Sequence, residues 1–187
     1  AASKGVTFAD YIGKRNSCNV IKEAVSGTTL VDEGIDSYIS RINKLDCDNA
    51  DLLVCQLSTN DATQKKELGT VSNTMRIDNF DTHTVAGAIE YIIAFAKDKW
   101  DCPVIFYTNP KYDSEKYSAM VELLKEIQNK WDIGVIDLWN DTDFNNITDD
   151  QRNLYMADEI HPTQAGYLEW WTPKMEQYII NYMENLN

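Results

Sequence analysis

An α/β domain built on a parallel sheet is the fold this sequence predicts, and three observations predict it. Short apolar runs ending in polar turns recur along the chain, stretches with helical apolar spacing lie between them, and the two kinds of segment alternate to the C-terminal helix. Such alternation places crossover helices on both faces of a parallel sheet, a three-layer arrangement. The 187 residues, 43% apolar and 11% aromatic, suffice for one compact domain with a full-sized core. No internal repeat, low-complexity tract or linker divides them.

The elements follow in order. Residues 7–15 read as a short helix capped by Thr7. Residues 19–25 read as a strand that ends at the turn Ser26-Gly27-Thr28-Thr29. Residues 35–42 read as a helix with Ile35, Ile39 and Ile42 on one face. The continuous apolar run 52–57 is typical of a buried parallel strand and stops at Ser58-Thr59-Asn60-Asp61. A long polar loop, 62–83, leads to an amphipathic helix carrying Val85, Ile89, Ile92, Ile93 and Ala96, with Thr82 or Thr84 as its cap. Residues 103–107 form the next buried strand, and 117–130 a helix with Met120, Leu124, Ile127 and Trp131 inward. A short strand at 133–138 follows, then a capping box, Thr148-x-x-Gln151. The last helix starts near Thr163 or Gln164 and runs to about 185, with Leu168, Trp171, Met175, Tyr178, Ile179 and Tyr182 on one face.

Composition narrows the function. A net charge of −13 argues against a nucleic-acid surface, which needs clustered Lys and Arg. No stretch approaches the roughly 18–20 apolar residues of a membrane span. The four cysteines, Cys18, Cys47, Cys55 and Cys102, contain no Cys-x-x-Cys pair, which argues against a zinc site. Cys55 reads as a buried reduced thiol, while pairing among the others stays open. The opening Ala1-Ala2-Ser3-Lys4 carries no signal-peptide apolar core. Nothing fixes the compartment, with a lean toward a reducing cytoplasm, and nothing sets the oligomeric state. Asp141-x-Asp143-x-Asn145 imitates a calcium loop, but Asn146 stands where glycine is needed and Arg152 where the bidentate Glu belongs.

Ligands of such sheets bind at the carboxyl ends of the strands, and the chemistry-bearing residues fall there. His161 precedes Pro162, which disfavours helix, and Thr163 can cap the helix beyond. Asp158, three residues earlier, can accept the Nδ1 proton and fix the imidazole tautomer, as the acid of a catalytic triad does. The plainer alternative is a turn-capping Asp158 beside a surface His161. Gly27 lets a backbone N–H face a ligand, unless it is only a turn glycine. Asn60 can donate its amide to a developing oxyanion, unless it bonds its own turn. His83 reads as a surface or helix-start residue.

Taken together these blocks resemble the SGNH (GDSL-type) hydrolase family. Val25-Ser26-Gly27 is similar to its glycine block, Ser58-Thr59-Asn60-Asp61 to its Gly-x-Asn-Asp block with Ser58 replacing glycine, and Asp158-Glu159-Ile160-His161-Pro162-Thr163 to its last block. The resemblance implies a flavodoxin-like α/β/α sandwich and a serine esterase with His161 and Asp158 in its triad. It also implies an oxyanion hole of Gly27 and Asn60, and no metal or organic cofactor. The substrate expected by analogy is a small ester, such as a short acyl or acetyl group on carbohydrate. The loop 62–83 and residues 139–146 would border the pocket. Trp139, Tyr155, Trp170 and Trp171 are candidates to stack on a sugar, with Trp171 at core-like helical spacing.

The family's first block, Gly-x-Ser after the first strand, has no match before Gly27. The resemblance therefore implies a nucleophile about ten residues upstream of Ala1, in a single domain over 1–187 that is N-terminally incomplete, with Ser3 as a weak fallback. Ser17, Ser26 and Ser58 fit less well. Loss of the central first strand would leave two strand edges unpaired. The rival reading is a non-catalytic carbohydrate-binding module derived from the same fold.

Overall fold

Caps and apolar spacing set the boundaries of the elements in a computed structural model that describes residues 4–186. In chain order these are α1 (Phe8–Asn16), α2 (Tyr38–Lys44), β1 (Leu53–Gln56), α3 (Thr59–Thr63), a 3-10 turn (Ile77–Asn79), α4 (Val85–Trp100) and β2 (Val104–Tyr107). There follow α5 (Glu115–Trp131), β3 (Gly134–Ile136), α6 (Thr142–Asn145), α7 (Asp149–Tyr155), a π-helical turn (Gly166–Trp171) and α8 (Thr172–Asn185). They fall into two compact units, residues 27–140 and residues 4–26 with 141–186.

Residues 27–140 hold the sheet. Its order is β1-β2-β3, all parallel, with Val54 opposite Ile105 and Phe106 opposite Val135. The central β2 is buried throughout, whereas β1, at an edge, is half-buried. Against this sheet pack α4 and α5, contributing Ile89, Ile92, Ile93, Met120, Leu124 and Ile127 to one apolar core. Thr84 caps α4, its hydroxyl accepting from Gly87 N at 3.2 Å. That first turn is close-packed, because a Cβ on Gly87 would lie 2.0 Å from the Asp81 carbonyl. Tyr117 of α5 stitches the carboxyl ends of β1 and β2: its buried hydroxyl accepts from Asn109 N and donates to Leu57 O, both at 2.9 Å.

In the other unit α1 packs on the π-helical turn and α8 through Phe8, Tyr167 and Trp171. Asn16 and Arg15 reach Glu176 at 2.7 and 3.1 Å. Thr148 and Gln151 form the expected capping box at α7. Asp141 caps α6 through Phe144 N at 2.9 Å and pairs with Lys174 at 2.5 Å.

Three expectations need correction. Residues 19–25 are not a strand but irregular chain, with Val20, Ile21 and Val25 exposed. A β-pattern becomes a strand only when a neighbour supplies ladder partners, and apolar alternation cannot supply one. The helix expected at 35–42 begins only at Tyr38, capped by Ser37 Oγ, and Ile35 is 76% exposed outside it. The last helix opens with a π-helical turn, where Thr172 N and its hydroxyl both address Tyr167 O, five residues back. Pro173 directly after it has no N–H for the regular ladder, which favours that shift.

Candidate active site

The first pair of expected residues sits on a closed turn. Ala157 N donates to His161 O and Thr163 N to Tyr155 O, each at 2.8 Å, and Met156 and Pro162 form an antiparallel bridge. The turn between them carries Asp158 and His161. Asp158 Oδ1 accepts from Ile160 N at 2.8 Å and His161 N at 2.7 Å, and His161 Nδ1 lies 2.8 Å from Asp158 Oδ2. Partial burial pushes the Asp158 carboxyl up, but the two main-chain N–H groups and the imidazole outweigh it, so it lies below the ordinary value. Both side chains remain more than half exposed. Thr163 closes the turn from the other side, its hydroxyl donating to Leu154 O at 2.7 Å and accepting from Gly166 N at 3.1 Å. Gly166 is required there, since a Cβ would meet Tyr155 O at 2.1 Å.

Gly27 and Asn60 come together within the sheet unit. Gly27 has φ +78°, and open space surrounds the position a Cβ would take. Asn60 lies in the first turn of α3, directly past β1, rather than in an open loop. Its Nδ2 donates to Thr28 O at 2.9 Å, which occupies one amide hydrogen and leaves a second. Asp61, fully buried, accepts from Leu30 N at 2.7 Å and Val31 N at 3.2 Å. Gly27 and Asn60 belong to one compact unit and Asp158 and His161 to the other.

The GDSL-like lipase/acylhydrolase family matches residues 2–168 of this chain. The chain belongs to that family. Curated proteins give no match. Solved structures that it resembles include a Lactobacillus plantarum protein, 16% identical with a TM-score of 0.76 over 96% of this chain and 88% of that one. A candidate GDSL-like lipase from Bacteroides ovatus is 21% identical with a TM-score of 0.68 over 99% and 81%. A candidate lipolytic protein of the G-D-S-L family from Desulfitobacterium hafniense is 13% identical with a TM-score of 0.63 over 95% and 90%. These likenesses show the fold, and fold with family places the chain among hydrolases of the SGNH type.

Ser58 is buried, bonded to Thr28 O at 3.5 Å and to Asp61 N at 3.4 Å. Ser17 ends α1 in the left-handed conformation, and Ser26 sits in the turn before Gly27. Ser3 lies outside the described residues. Of the four aromatic candidates, Trp139, Trp170 and Trp171 are buried, and only Tyr155 is half-exposed, stacked on Trp170 at 5.9 Å. All four cysteines are free; Cys55 is half-buried at the sheet edge, and burial pushes its thiol up to about 12. His83 is exposed before α4, its N–H bonded to Asp81 Oδ1 at 3.0 Å. Sequence reasoning passed over Asp61. It stands next to Asn60 in the same block, but the partners that fix it lie 30 and 31 residues earlier in the chain.

Proposed function

We propose that this chain is a serine esterase working through an acyl-enzyme, with His161 and Asp158 as base and orienting acid and Gly27 and Asn60 as oxyanion donors. The observation that carries the reading is the Asp158–His161 contact. With Nδ1 engaged at 2.8 Å, Nε2 is the ring nitrogen left to exchange a proton with a nucleophile.

In the proposed reaction His161 Nε2 takes the serine proton as the serine oxygen attacks the ester carbonyl. Gly27 N–H, the N–H of the nucleophile and Asn60 Nδ2 hold the developing oxyanion. The alcohol leaves with the proton from His161, and a water activated by the same nitrogen releases the acid. The steps so written call for no metal or organic cofactor. Ser58 is spent on the α3 cap, so the reading assigns the nucleophile to the family's first block, ahead of the glycine block, with Ser3 as the fallback.

The preferred substrates are short acyl esters, acetyl groups on carbohydrate among them. An open cavity of about 270 Å³ borders Gly27, with Thr28, Glu33, Ile35, Asp36, Ser37 and Gln64 in its lining, and offers room for a small acyl group.

The test is p-nitrophenyl acetate hydrolysis before and after a serine-reactive phosphonate, with the labelled peptide mapped by mass. Turnover abolished by one adduct on a serine ahead of Gly27 is the expected result. No turnover and no adduct would overturn the esterase and leave the carbohydrate-binding module.

A further inference from the structure

Asn60 and Gly27 lie on separate segments, and an oxyanion hole works only if its donors keep a fixed spacing. Three bonds tie the segments together. Asn60 Nδ2 holds Thr28 O at 2.9 Å, and the Asp61 carboxylate accepts from Leu30 N at 2.7 Å and Val31 N at 3.2 Å. Ser58 Oγ adds a longer contact to Thr28 O at 3.5 Å and accepts from Asp61 N at 3.4 Å. Leu30 and Val31 are themselves buried, so without Asp61 their two N–H groups would be orphaned. A carboxylate satisfies both with acceptor oxygens, and charge-assisted bonds of this kind are the stronger ones. An amide in its place would turn an NH2 group toward a main-chain N–H.

We infer that Asp61 is a positioning residue: it latches the 28–31 segment to the turn bearing Asn60 and so fixes the spacing of the two oxyanion donors. The inference rests on the esterase reading. Burial pushes the Asp61 carboxyl upward, opposed by the Ser58 hydroxyl, the Leu30 and Val31 amides and the charge of Lys66. Lys66 pairs directly with Glu33, so the hydrogen bonds of the latch come from Ser58, Leu30 and Val31.

The experiment compares wild type, Asp61→Asn, Asn60→Ala and the double variant by kcat and KM for p-nitrophenyl acetate, melting temperature, and hydrogen exchange of the Leu30 and Val31 amides. Expected for Asp61→Asn is a fall in kcat of about 10-fold to 100-fold with KM within about twofold, because a donor displaced by about 1 Å costs on that order. Exchange at Leu30 and Val31 should quicken. The double variant should lose clearly less than the two single losses combined, since part of what Asp61 does is hold Asn60 against the Gly27 segment. Should Asp61→Asn not fold, Ser58→Ala loosens the same latch and should lower kcat in the same direction at unchanged KM. An active wild type with kcat untouched by these variants, or strictly additive losses in the double, would overturn the latch and leave the esterase standing. A wild type with no turnover overturns the esterase reading and the latch with it.

Discussion

Asp158–His161 and Glu90–Lys130 are both acid–base contacts, and they sit in opposite surroundings. The first joins residues three apart on an exposed turn. The second joins residues 40 apart in the interior of the sheet unit, with Glu90 fully buried. Glu90 also accepts from Trp131 Nε1 at 2.9 Å and Ser72 N at 2.8 Å. Lys130 goes on to donate to Ser72 O at 2.7 Å and Thr74 O at 2.6 Å, fastening the long loop before α4. On the esterase reading the exposed pair is cheap to remove for folding and costly for chemistry, while the buried network is the reverse.

The largest effect should come from His161→Ala. If His161 is the general base, as the esterase reading has it, its loss lowers kcat by about 10²–10⁴-fold, or about 3–5 kcal/mol of barrier. Melting should barely move, because the side chain is exposed. Steady-state kinetics and a thermal melt on the same preparation check both halves. A large drop in melting temperature would make this turn structural and erase the contrast.

Glu90→Leu should do the converse. It leaves Lys130 partly buried without its carboxylate and orphans Ser72 N, a loss of about 3–5 kcal/mol in denaturant unfolding. The double change Glu90→Leu with Lys130→Met should recover much of that, since replacing a buried pair by apolar groups of similar size is often neutral. The loop around Ser72–Thr74 would still lose its anchor, which limited proteolysis would report as faster cleavage there. A double variant no better than the single would mean that the pair itself, and not the unpaired charge, carries the stability.

What the sequence disclosed follows the same line. Asp158, His161, Pro162 and Gly166 lie within nine residues, and their contacts are local, so spacing alone predicts the turn. The helices at 85–100 and 115–131 were legible because 3.6-residue periodicity reports burial directly. Glu90 was not, because its partner is 40 residues away and a helical pattern reads a lone acid as solvent-facing. Residues 19–25 misled for a related reason: β-spacing states a preference, whereas a strand needs a partner. Asp61 was overlooked because its partners are backbone amides, about which side-chain patterns say nothing.

The smallest effect sharpens the comparison from a third acid. Asp10 in α1 accepts from Thr7 N at 2.9 Å and Thr7 Oγ1 at 2.6 Å, and pairs with Lys22 at 2.6 Å. Burial pushes its carboxyl up, but Lys22 and Thr7 together win and hold it at about 2 against an ordinary 3.8. A depressed folded-state value means the stabilisation is fully present above the unfolded pKa and is lost as pH falls through the folded one. The window is therefore pH 4 down to about 2. Because the pair is partly solvated, its worth at neutral pH is discounted to about 1 kcal/mol. Asp10→Asn should accordingly lower the melting temperature by a few degrees at neutral pH, with the two melting curves converging near pH 2. Curves that stay parallel down to that pH would show that the carboxylate's charge contributes nothing and that capping geometry alone holds the start of α1.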